Sequence, residues 1–333
     1  MKTLTIRKPD DFHLHLRQGE RMGDYARETA RSFARALVMP NTLPPVTDPA
    51  GMEAYKKAIE TEAPGLEALM AFKLLPDMPA GIVPEMKKAG AVIGKLYPAG
   101  ATTNAEDGIS SYRQIPDVLE AMEAEGMVLS IHGEHPEKPV LEREISYLTE
   151  LEQIIRDYPK LPIVLEHLSC RESLRFLEQT PDHVRGTVTT HHLLFTLDDL
   201  MGGSLNPHLF CKPVVKKEED RRALVDAVCS GHPRLFYGSD SAPHLKESKE
   251  SGSCGAGAFT SPVALPLLAE LFEQEDALDR LEDFVSRKGA DFYGLPLNKE
   301  SLTLVKEPWT VPDLIGGAVP LLAGETLSWK ISS

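Results

Sequence analysis

The sequence predicts an α/β fold of the (β/α)8 or TIM barrel type, in which helices surround a closed barrel of eight parallel strands. Short apolar or β-branched segments alternate eight times with longer amphipathic segments along the chain. The apolar segments are almost continuously hydrophobic, as is typical of parallel strands that are buried on both faces. A doubly wound open sheet is the main alternative, but it usually carries a glycine-rich phosphate loop after its first strand, and none follows here.

The pattern places each element of this barrel along the chain. The predicted strands are Asp11–Leu16, Arg35–Met39, Glu67–Phe72, Ala91–Leu96, Met127–His132, Ile163–Glu166, Arg185–Thr189 and Leu235–Tyr237. The predicted helices between them include Gly23–Phe33, Pro49–Glu62, Ser111–Glu125, Leu141–Tyr158 and Glu218–Cys229. Two further helix candidates follow Ser261, and we expect the last segment, Glu307–Ser333, to be a tail packed on the barrel. No linker or repeat divides the chain, so residues 1–333 are predicted to form one domain.

Composition excludes several classes of partner. The chain has 333 residues, 42% of them hydrophobic, and its 36 basic and 50 acidic residues give a net charge of −14. This charge argues against binding to nucleic acid or to an anionic membrane surface. The N-terminus has no apolar signal-peptide core, and no apolar run is long enough to span a bilayer. The four cysteines lack C-x-x-C spacing, which favours reduced thiols and a cytoplasmic location.

The first predicted strand carries the histidine pair from which the functional hypothesis starts. Alternate side chains of a strand share a face, so His13, His15 and Arg17 are expected on one face. Phe12, Leu14 and Leu16 are expected together on the other, apolar face. Two imidazoles at this spacing form a preformed metal clamp. A half-exposed strand with two histidines that bind no metal would, however, have the same sequence pattern.

Other ligand-type residues lie at the ends of later strands. In a parallel barrel, catalytic groups gather at the carboxyl ends of the strands. Lys95 ends the fourth strand, His132 the fifth and His167 follows the sixth, while Asp240 comes just after the eighth. Each alone also fits a structural role, because strand ends often carry satisfied polar residues and turns often carry aspartate. Their joint placement predicts a metal centre.

Lys95 is informative because its strand is apolar, and a bare ammonium is costly to bury there. One interpretation is a lysine that reaches water or pairs with a carboxylate. The other is that desolvation and nearby cations lower its pKa, so that the free amine adds carbon dioxide. The resulting carbamate is an anionic, bidentate oxygen ligand that can bridge two metals.

These residues resemble the amidohydrolase superfamily with a binuclear metal centre and, more narrowly, the type II dihydroorotases. The supporting strings are D-x-H-L-H-L-R at 11–17, M-P-N-T at 39–42, K-L-Y-P-A-G-A-T-T-N at 95–104, H-G-E at 132–134, E-H at 166–167, P-H-L-F-C at 207–211 and G-S-D-S-A-P-H at 238–244. They cover most of the chain in the order of that family.

The resemblance implies the metal ligands and the reaction. His13, His15 and Asp240 would hold one zinc, His132 and His167 the second, and carboxylated Lys95 with a hydroxide would bridge them. Asp240 would be the catalytic base that later protonates the departing nitrogen. The implied reaction is the reversible interconversion of N-carbamoyl-L-aspartate and dihydroorotate in pyrimidine biosynthesis, by a cytoplasmic homodimer.

The resemblance also implies the substrate contacts. Arg17 and Asn41 would bind the substrate carboxylate, His244 would contact the substrate, and the backbone of Ala256 would contact the ring. Thr102 and Thr103 match a loop that closes over the substrate. Lys212 stands where relatives carry an apolar residue that contacts the ring through its backbone. The metal ligands His15 and His132 also match positions that touch substrate. The full set of implied substrate contacts is His15, Arg17, Asn41, Thr102, Thr103, His132, Lys212, His244 and Ala256.

Two other functions remain open at this point. A hydantoinase or dihydropyrimidinase shares the metal centre, but such relatives usually begin with additional β-sandwich strands, and only twelve residues precede His13. Arg17 and Asn41 also suit a ring that carries a carboxylate. A catalytically silent homologue that acts as a scaffold would need none of the six metal ligands, which are all present.

Overall fold

An eight-stranded parallel barrel with surrounding helices is the architecture of the chain, as a computed structural model describes it for residues 2–332. The strands run in the order β2–β3–β4–β5–β6–β7–β8–β9, so every strand lies beside its neighbour in the sequence. A separate three-stranded antiparallel sheet has the order β1–β10–β11. Met1 and Ser333, the ends of the predicted domain and of the predicted tail, lie outside the described residues.

The bounds of the strands are β1 Thr3–Arg7, β2 Asp10–Leu14, β3 Arg35–Val38, β4 Glu67–Lys73, β5 Ala91–Leu96, β6 Val128–Ile131, β7 Ile163–Leu165, β8 Val184–Val188, β9 Leu235–Tyr237, β10 Ser301–Thr310 and β11 Thr326–Ile331. The helices are α1 Met22–Ser32, α2 Pro49–Glu62, α3 Ile82–Lys88, α4 Pro116–Glu125, α5 Arg143–Asp157, α6 Arg171–Glu178, α7 Thr190–Leu194, α8 Leu197–Met201, α9 Glu218–Cys229, α10 Lys246–Lys249, α11 Ala264–Gln274 and α12 Lys288–Phe292. Short 3-10 turns occupy Tyr112–Gln114, Pro207–Leu209 and Leu278–Arg280, and a π-helical turn occupies Asp283–Arg287. Within residues 2–332, no helix combines the length and the apolar character that a bilayer span requires.

Local sequence signals explain several of these bounds. The Asp48 side chain accepts a hydrogen bond from Gly51 N and caps α2, whose first residue is Pro49. Helix α4 also begins at a proline, Pro116, and it ends at Gly126, which has a φ of 62°. The predicted helix Ser111–Glu125 is therefore shorter than expected, because a 3-10 turn over Tyr112–Gln114 and Pro116 interrupt its start. All eight predicted barrel strands are confirmed, each within two residues of its expected bounds.

The predicted faces of the first barrel strand are wrong for Phe12. Asp11 pairs with Ala36 of β3, and Leu14 pairs with Val38. Between these two pairs β2 advances by three residues and β3 by only two, so β2 contains a bulge. Phe12 therefore packs inside the barrel with apolar residues of six other strands, whereas Leu14 and Leu16 pack in the outer layer beneath the helices. The interior partners of Phe12 are Leu37, Met39, Leu69, Ala71, Ile93, Val128, Val164 and Phe236.

The C-terminal segment closes the amino-terminal end of the barrel and then packs on its outside. Tyr293, just after α12, stacks on Phe12 with a ring separation of 5.0 Å. Strand β10 then pairs with the N-terminal strand β1, in the register Leu4↔Leu304. In β11, Trp329 is fully buried, and its indole N–H donates to Glu273 of α11 over 2.9 Å. The tail predicted at Glu307–Ser333 thus packs on the barrel, but strand β1 was not predicted.

Backbone hydrogen bonds close the barrel between its first and last strands. Asp240 N donates to His13 O over 2.8 Å, and His15 N donates to Ser241 O over 3.0 Å. These bonds form a parallel bridge between Leu14 and Ser241, beyond the end of β9. The closure therefore aligns the residues that follow β9 with the two histidines of β2.

Candidate metal centre and substrate cavity

The six predicted metal ligands meet at the carboxyl end of the barrel. His13 and His15 come from the end of β2, Lys95 from β5, and His132, His167 and Asp240 directly or closely follow β6, β7 and β9. All six side chains are buried, and Lys95 is completely excluded from solvent. Because the carboxyl ends of the strands meet at one end of the barrel, these six side chains lie close together in space, as the barrel geometry predicts.

Two groups of ligand atoms can be distinguished in this cluster. Asp240 Oδ1 lies 3.1 Å from His15 Nε2 and 3.5 Å from His13 Nε2, and these three residues form a group that could hold a metal ion. His132 Nδ1 lies 3.1 Å from His167 Nε2. The rings of His13 and His167 have centroids 5.1 Å apart, so the two groups are adjacent.

Two buried carboxylates contact the opposite nitrogens of these rings. Glu166 Oε2 lies 2.9 Å from His13 Nδ1, and Glu134 Oε2 lies 2.9 Å from His132 Nε2. A carboxylate in this place fixes the tautomer and orientation of a ligand imidazole and makes the other nitrogen a better ligand. No role was predicted for Glu134 or Glu166 from the sequence. Glu134 is two residues after the predicted ligand His132 in H-G-E, and Glu166 directly precedes the predicted ligand His167 in E-H.

The environment of Lys95 suits an uncharged amine. Its Nζ has no hydrogen-bond partner among residues 2–332, and it lies 5.3 Å from the ring centroid of Tyr97. Burial lowers the pKa of Lys95 to about 8, against the opposing effect of the carboxylates of Glu166 and Asp240. Burial raises the pKa of Glu166, but the charges of His13 and Lys95 outweigh it and bring that pKa to about 2.

The histidines are held in the form that binds metals. Burial, followed by nearby cations such as Arg17 and Lys95, lowers the pKa of His15 well below its ordinary value. Burial lowers the pKa of His167 well below its ordinary value too. Neutral imidazoles are ligands, whereas imidazolium ions are not. Burial also raises the pKa of Asp240, which indicates that its carboxylate lacks a full set of polar partners.

Strained backbone accompanies the site. Arg17, His167 and Asp240 have φ angles of 62°, 43° and 46°, in the left-handed region that non-glycine residues rarely adopt. Such strain persists only where surrounding contacts impose it, and it concentrates at functional sites. For Asp240 the contact is its N–H bond to His13 O, and for His167 it is the 2.6 Å bond from its N–H to Thr187 Oγ1.

A small cavity adjoins the cluster and collects most of the predicted substrate contacts. The predicted residues that line it are His13, His15, Arg17, Asn41, Thr102, Thr103, His132, His167, Lys212, Asp240 and Ala256. Tyr97, Ala242 and Gly257 also line it and were not predicted. His244 is not among the lining residues, but its Nε2 is 2.8 Å from Arg17 Nη2 and 2.9 Å from Ala256 O, both of which belong to residues that line the cavity. Lys95 lies deeper, at the floor of the metal cluster.

Hydrogen bonds hold the loop that carries Thr102 and Thr103 against this cavity. Asn41 Nδ2 donates to Thr103 O, and Asn104 Nδ2 donates to Asn41 O, each over 2.9 Å. From below, the buried Nζ of Lys73 donates to Asn104 O over 2.7 Å and pairs with Asp107. Asn41 therefore contacts the loop as well as the cavity.

A second cluster of ligand-type residues lies on helix α7, just after β8, and in the loop that follows the 3-10 turn Pro207–Leu209. His191, His192 and Cys211 are all buried, and their ligand atoms lie close together. Both ring nitrogens of His192 are engaged, with Thr189 Oγ1 and Pro213 O, and the Cys211 thiol donates to Pro213 O. Burial raises the pKa of the Cys211 thiol to about 12, which disfavours a thiolate ligand. These features favour a structural role for the three residues.

Comparison with known proteins identifies the family. Residues 10–313 match the amidohydrolase family. A dihydroorotase from Teredinibacter turnerae is 42% identical over 339 residues, which cover 99% of this chain and 98% of the relative. The crystal structure of a dihydroorotase from Saccharomyces cerevisiae in complex with 5-fluoroorotic acid superposes with a TM-score of 0.93, at 32% identity over 100% of this chain and 99% of that chain.

The chain belongs to the amidohydrolase family and, within it, to the dihydroorotases.

Membership in the dihydroorotases confirms the predicted fold and the predicted enzyme class, a hydrolase of a cyclic amide. The L-hydantoinase of Arthrobacter aurescens has a TM-score of 0.84 at 18% identity, covering 99% of this chain and 83% of that chain, and this likeness shows a shared fold alone. The three-stranded sheet formed by β1, β10 and β11 is additional to the barrel, yet β1 contributes only five residues before His13.

Proposed function

We propose that this dihydroorotase interconverts N-carbamoyl-L-aspartate and (S)-dihydroorotate at the cluster formed by His13, His15, Lys95, His132, His167 and Asp240. Hydrolysis adds water across the cyclic amide bond: the hydroxyl goes to the carbonyl carbon, one hydrogen goes to the ring nitrogen, and the new carboxylic acid loses its proton to solvent. Closure takes up that proton and releases the water. The observation that carries the proposal is the position of Arg17, a partly buried guanidinium that lines the same cavity as Asp240 and the four imidazoles.

The residues present fit a pair of divalent cations. His13, His15 and Asp240 would hold one cation, and His132 and His167 the other, with Lys95 between them as the carbamate. The buried Nζ of Lys95 lacks a partner, and the imidazoles of His15 and His167 are neutral, which suits both assignments. We propose zinc, whose ligands are commonly nitrogen and oxygen in this combination. When bound, such cations lower the pKa of a coordinated water and polarise the amide carbonyl.

Asp240 moves the proton in this proposal. Its Oδ1 lies between His13 and His15, and its side chain borders the cavity where the amide nitrogen must lie. It accepts a proton from the attacking water and delivers it to the departing nitrogen.

Arg17 binds the carboxylate that dihydroorotate carries. Its Nε donates to Pro243 O over 3.0 Å, which fixes the plane of the guanidinium. Asn41 and His244 complete the carboxylate site, Ala256 and Lys212 contact the ring through their backbones, and Thr102 and Thr103 cover it. Dihydrouracil and simple hydantoins have no carboxylate for Arg17, so this residue favours dihydroorotate over them.

We further propose a cytoplasmic homodimer. The four free cysteines suit a reducing compartment, and the family resemblance supports the dimer. Sedimentation equilibrium of the purified protein tests the dimer directly.

Ring opening of dihydroorotate and of dihydrouracil, assayed side by side, tests the proposed reaction. We expect metal-loaded protein to open dihydroorotate alone, and chelated protein or Lys95→Ala to open neither. Lys288→Ala is the matched control, because Lys288 is half-buried but lies at the opposite end of the barrel, bonded to His232 O. Preference for dihydrouracil would favour the hydantoinase function. No turnover by protein shown to contain two metals would favour the scaffold.

A further inference from the structure

Lys249 is a buried lysine outside the metal cluster, at the end of the short helix α10. Its Nζ donates to three backbone oxygens, Phe210 O over 2.9 Å, and Gly255 O and Gly257 O over 2.8 Å each. An ammonium has three N–H donors, so these bonds use all of its capacity. All three donors of Lys249 therefore bond to neutral carbonyls, and none bonds to a carboxylate. This pattern indicates that the lysine holds backbone segments in place and does not form an ion pair.

The three carbonyls belong to two loops that form one wall of the substrate cavity. Ala256 and Gly257 of one loop and Lys212 of the other line the cavity. Gly257 N also donates to Phe210 O over 2.9 Å, which joins the two loops directly. Lys249 thus lies behind the wall at the junction of its two parts.

These bonds fix both polar groups of the Ala256 backbone. A trans peptide is planar, with its C=O and N–H directed oppositely. Because Lys249 holds Gly255 O, the N–H of Ala256 in the same peptide is directed away from the lysine. Because Phe210 O holds Gly257 N, the carbonyl of Ala256 is directed away from Phe210. The Ala256 N–H donates to no acceptor within residues 2–332 and so is free for a ligand.

The loop itself cannot impose this orientation. Glycines flank Ala256 on both sides, and glycine resists peptide rotation less than any other residue. Gly257 has a φ of 150°, and a Cβ there would lie 2.4 Å from Ala242 O, so the tight approach excludes a stiffer residue. Within residues 2–332, the only other hydrogen bond to either carbonyl is the long one of 3.7 Å from Cys254 Sγ to Gly255 O, so the ammonium is the main restraint on both.

We propose that Lys249 is a positioning residue for the substrate ring, which keeps the free N–H of Ala256 available to the cavity without touching the substrate, while the C=O of Ala256 is held by His244 Nε2 over 2.9 Å. A cyclic amide has C=O acceptors, so a fixed N–H donor in the wall of the cavity matches a carbonyl of such a ring. This inference rests on the proposed function, because it assigns Ala256 to the ring of dihydroorotate.

Steady-state kinetics of Lys249→Met, on metal-loaded protein, test the inference. Methionine retains the length and removes the donors, so we expect KM for dihydroorotate to rise about tenfold or more, the effect of about one lost hydrogen bond, while kcat changes less. Binding of orotate, which is not hydrolysed, should weaken in parallel. Lys246→Met is the matched control, because Lys246 lies on the same helix with its side chain half-exposed, and it should leave both values unchanged.

The outcomes separate a positioning role from a merely structural one. If Lys249 only stabilises the fold, Lys249→Met lowers the fraction of active protein, and kcat falls while KM and orotate binding stay at the wild-type values. That result overturns the inference. If Lys249→Met does not fold, Lys249→Arg retains donors in altered positions, and a KM equal to that of the wild type would overturn it equally. Failure of the proposed function differs from both, because the wild type and Lys246→Met would then be inactive on dihydroorotate.

Discussion

Glu166 Oε2 lies 2.9 Å from His13 Nδ1 and accepts a hydrogen bond from Thr187 Oγ1 over 2.6 Å. The carboxylate therefore joins a strand-end imidazole of β2 to strand β8, on the far side of the ring from Asp240. Glu166 contacts Nδ1 of His13, so that Nε2 of the same ring faces Asp240 and the rest of the cluster. The low pKa of Glu166 indicates that this carboxylate is charged near neutral pH.

Glu166→Gln is expected to weaken metal binding by about ten- to a hundredfold, the usual effect of removing a carboxylate behind a ligand histidine. The amide retains the shape but loses the charge that strengthens His13 as a ligand. Competition with a chromogenic chelator measures the affinity. Glu144→Gln is the control, since Glu144 is also buried but accepts bonds from Ser169 and Ser173. Equal affinities in the two variants would contradict the assigned role of Glu166.

Arg17→Lys is expected to lower kcat/KM for dihydroorotate by about one to two orders of magnitude, the range of a hydrogen-bonded charge. Lysine keeps the charge but cannot bond Pro243 O and also present a planar fork to a carboxylate. Steady-state ring-opening rates provide the measurement, with the exposed Arg21→Lys as the control. A change below twofold would place the substrate carboxylate elsewhere.

Reactivation of stripped protein should depend on pH through Lys95. Only the free amine adds carbon dioxide, releasing one proton as the carbamate forms. With a pKa of about 8, roughly a tenth of the amine is free at pH 7 and about half at pH 8, after which the fraction levels off. We expect the rate at which activity returns, with saturating zinc and fixed dissolved carbon dioxide, to rise through pH 8. An inflection near the ordinary lysine value of 10.5 would show instead that the site does not desolvate this amine.

Lys73→Met is expected to loosen the loop that carries Thr102 and Thr103. The buried ammonium loses its bonds to Asn104 O and Asp107, so hydrogen exchange of the amides in residues 99–109 should become faster and KM should rise. Asp107→Asn is the matched control, because Asp107 is half-exposed and the bond from Lys73 to Asn104 O remains. If both variants exchange alike, the ion pair rather than the backbone bond restrains the loop.

The sequence allowed the strand order and the clustering of the six candidate ligands to be predicted because both depend on signals along the chain. Apolar runs such as Ala91–Leu96 end at a polar side chain, and parallel strands bring such ends together. The face of Phe12 was mispredicted because a bulge depends on how β2 pairs with β3, and no feature of β2 alone specifies it. Strand β1 was missed for a similar reason, since its partner, β10, lies almost 300 residues away.

The roles of Glu134, Glu166 and Lys249 required the structure. Each is a common residue type with an ordinary local context, and its function depends on one distance to a residue far along the chain. Glu166 meets His13, and Lys249 meets Phe210 O. That residues 1–333 form one domain stays a prediction, as do the dimer and the cytoplasmic location.

The bonds that close the barrel have a consequence for synthesis of the protein. His13 and His15 are made among the first residues, but their backbone partners are residues 240 and 241, and strand β1 pairs with residues 301–305. A ribosome must therefore extend the chain by more than two hundred residues before the earliest ligands can meet Asp240. Contacts of such sequence separation slow folding. The nascent chain therefore carries the two candidate ligands His13 and His15 apart from Asp240 for most of translation, and a truncated product that lacks β9 and the residues after it would not assemble the cluster.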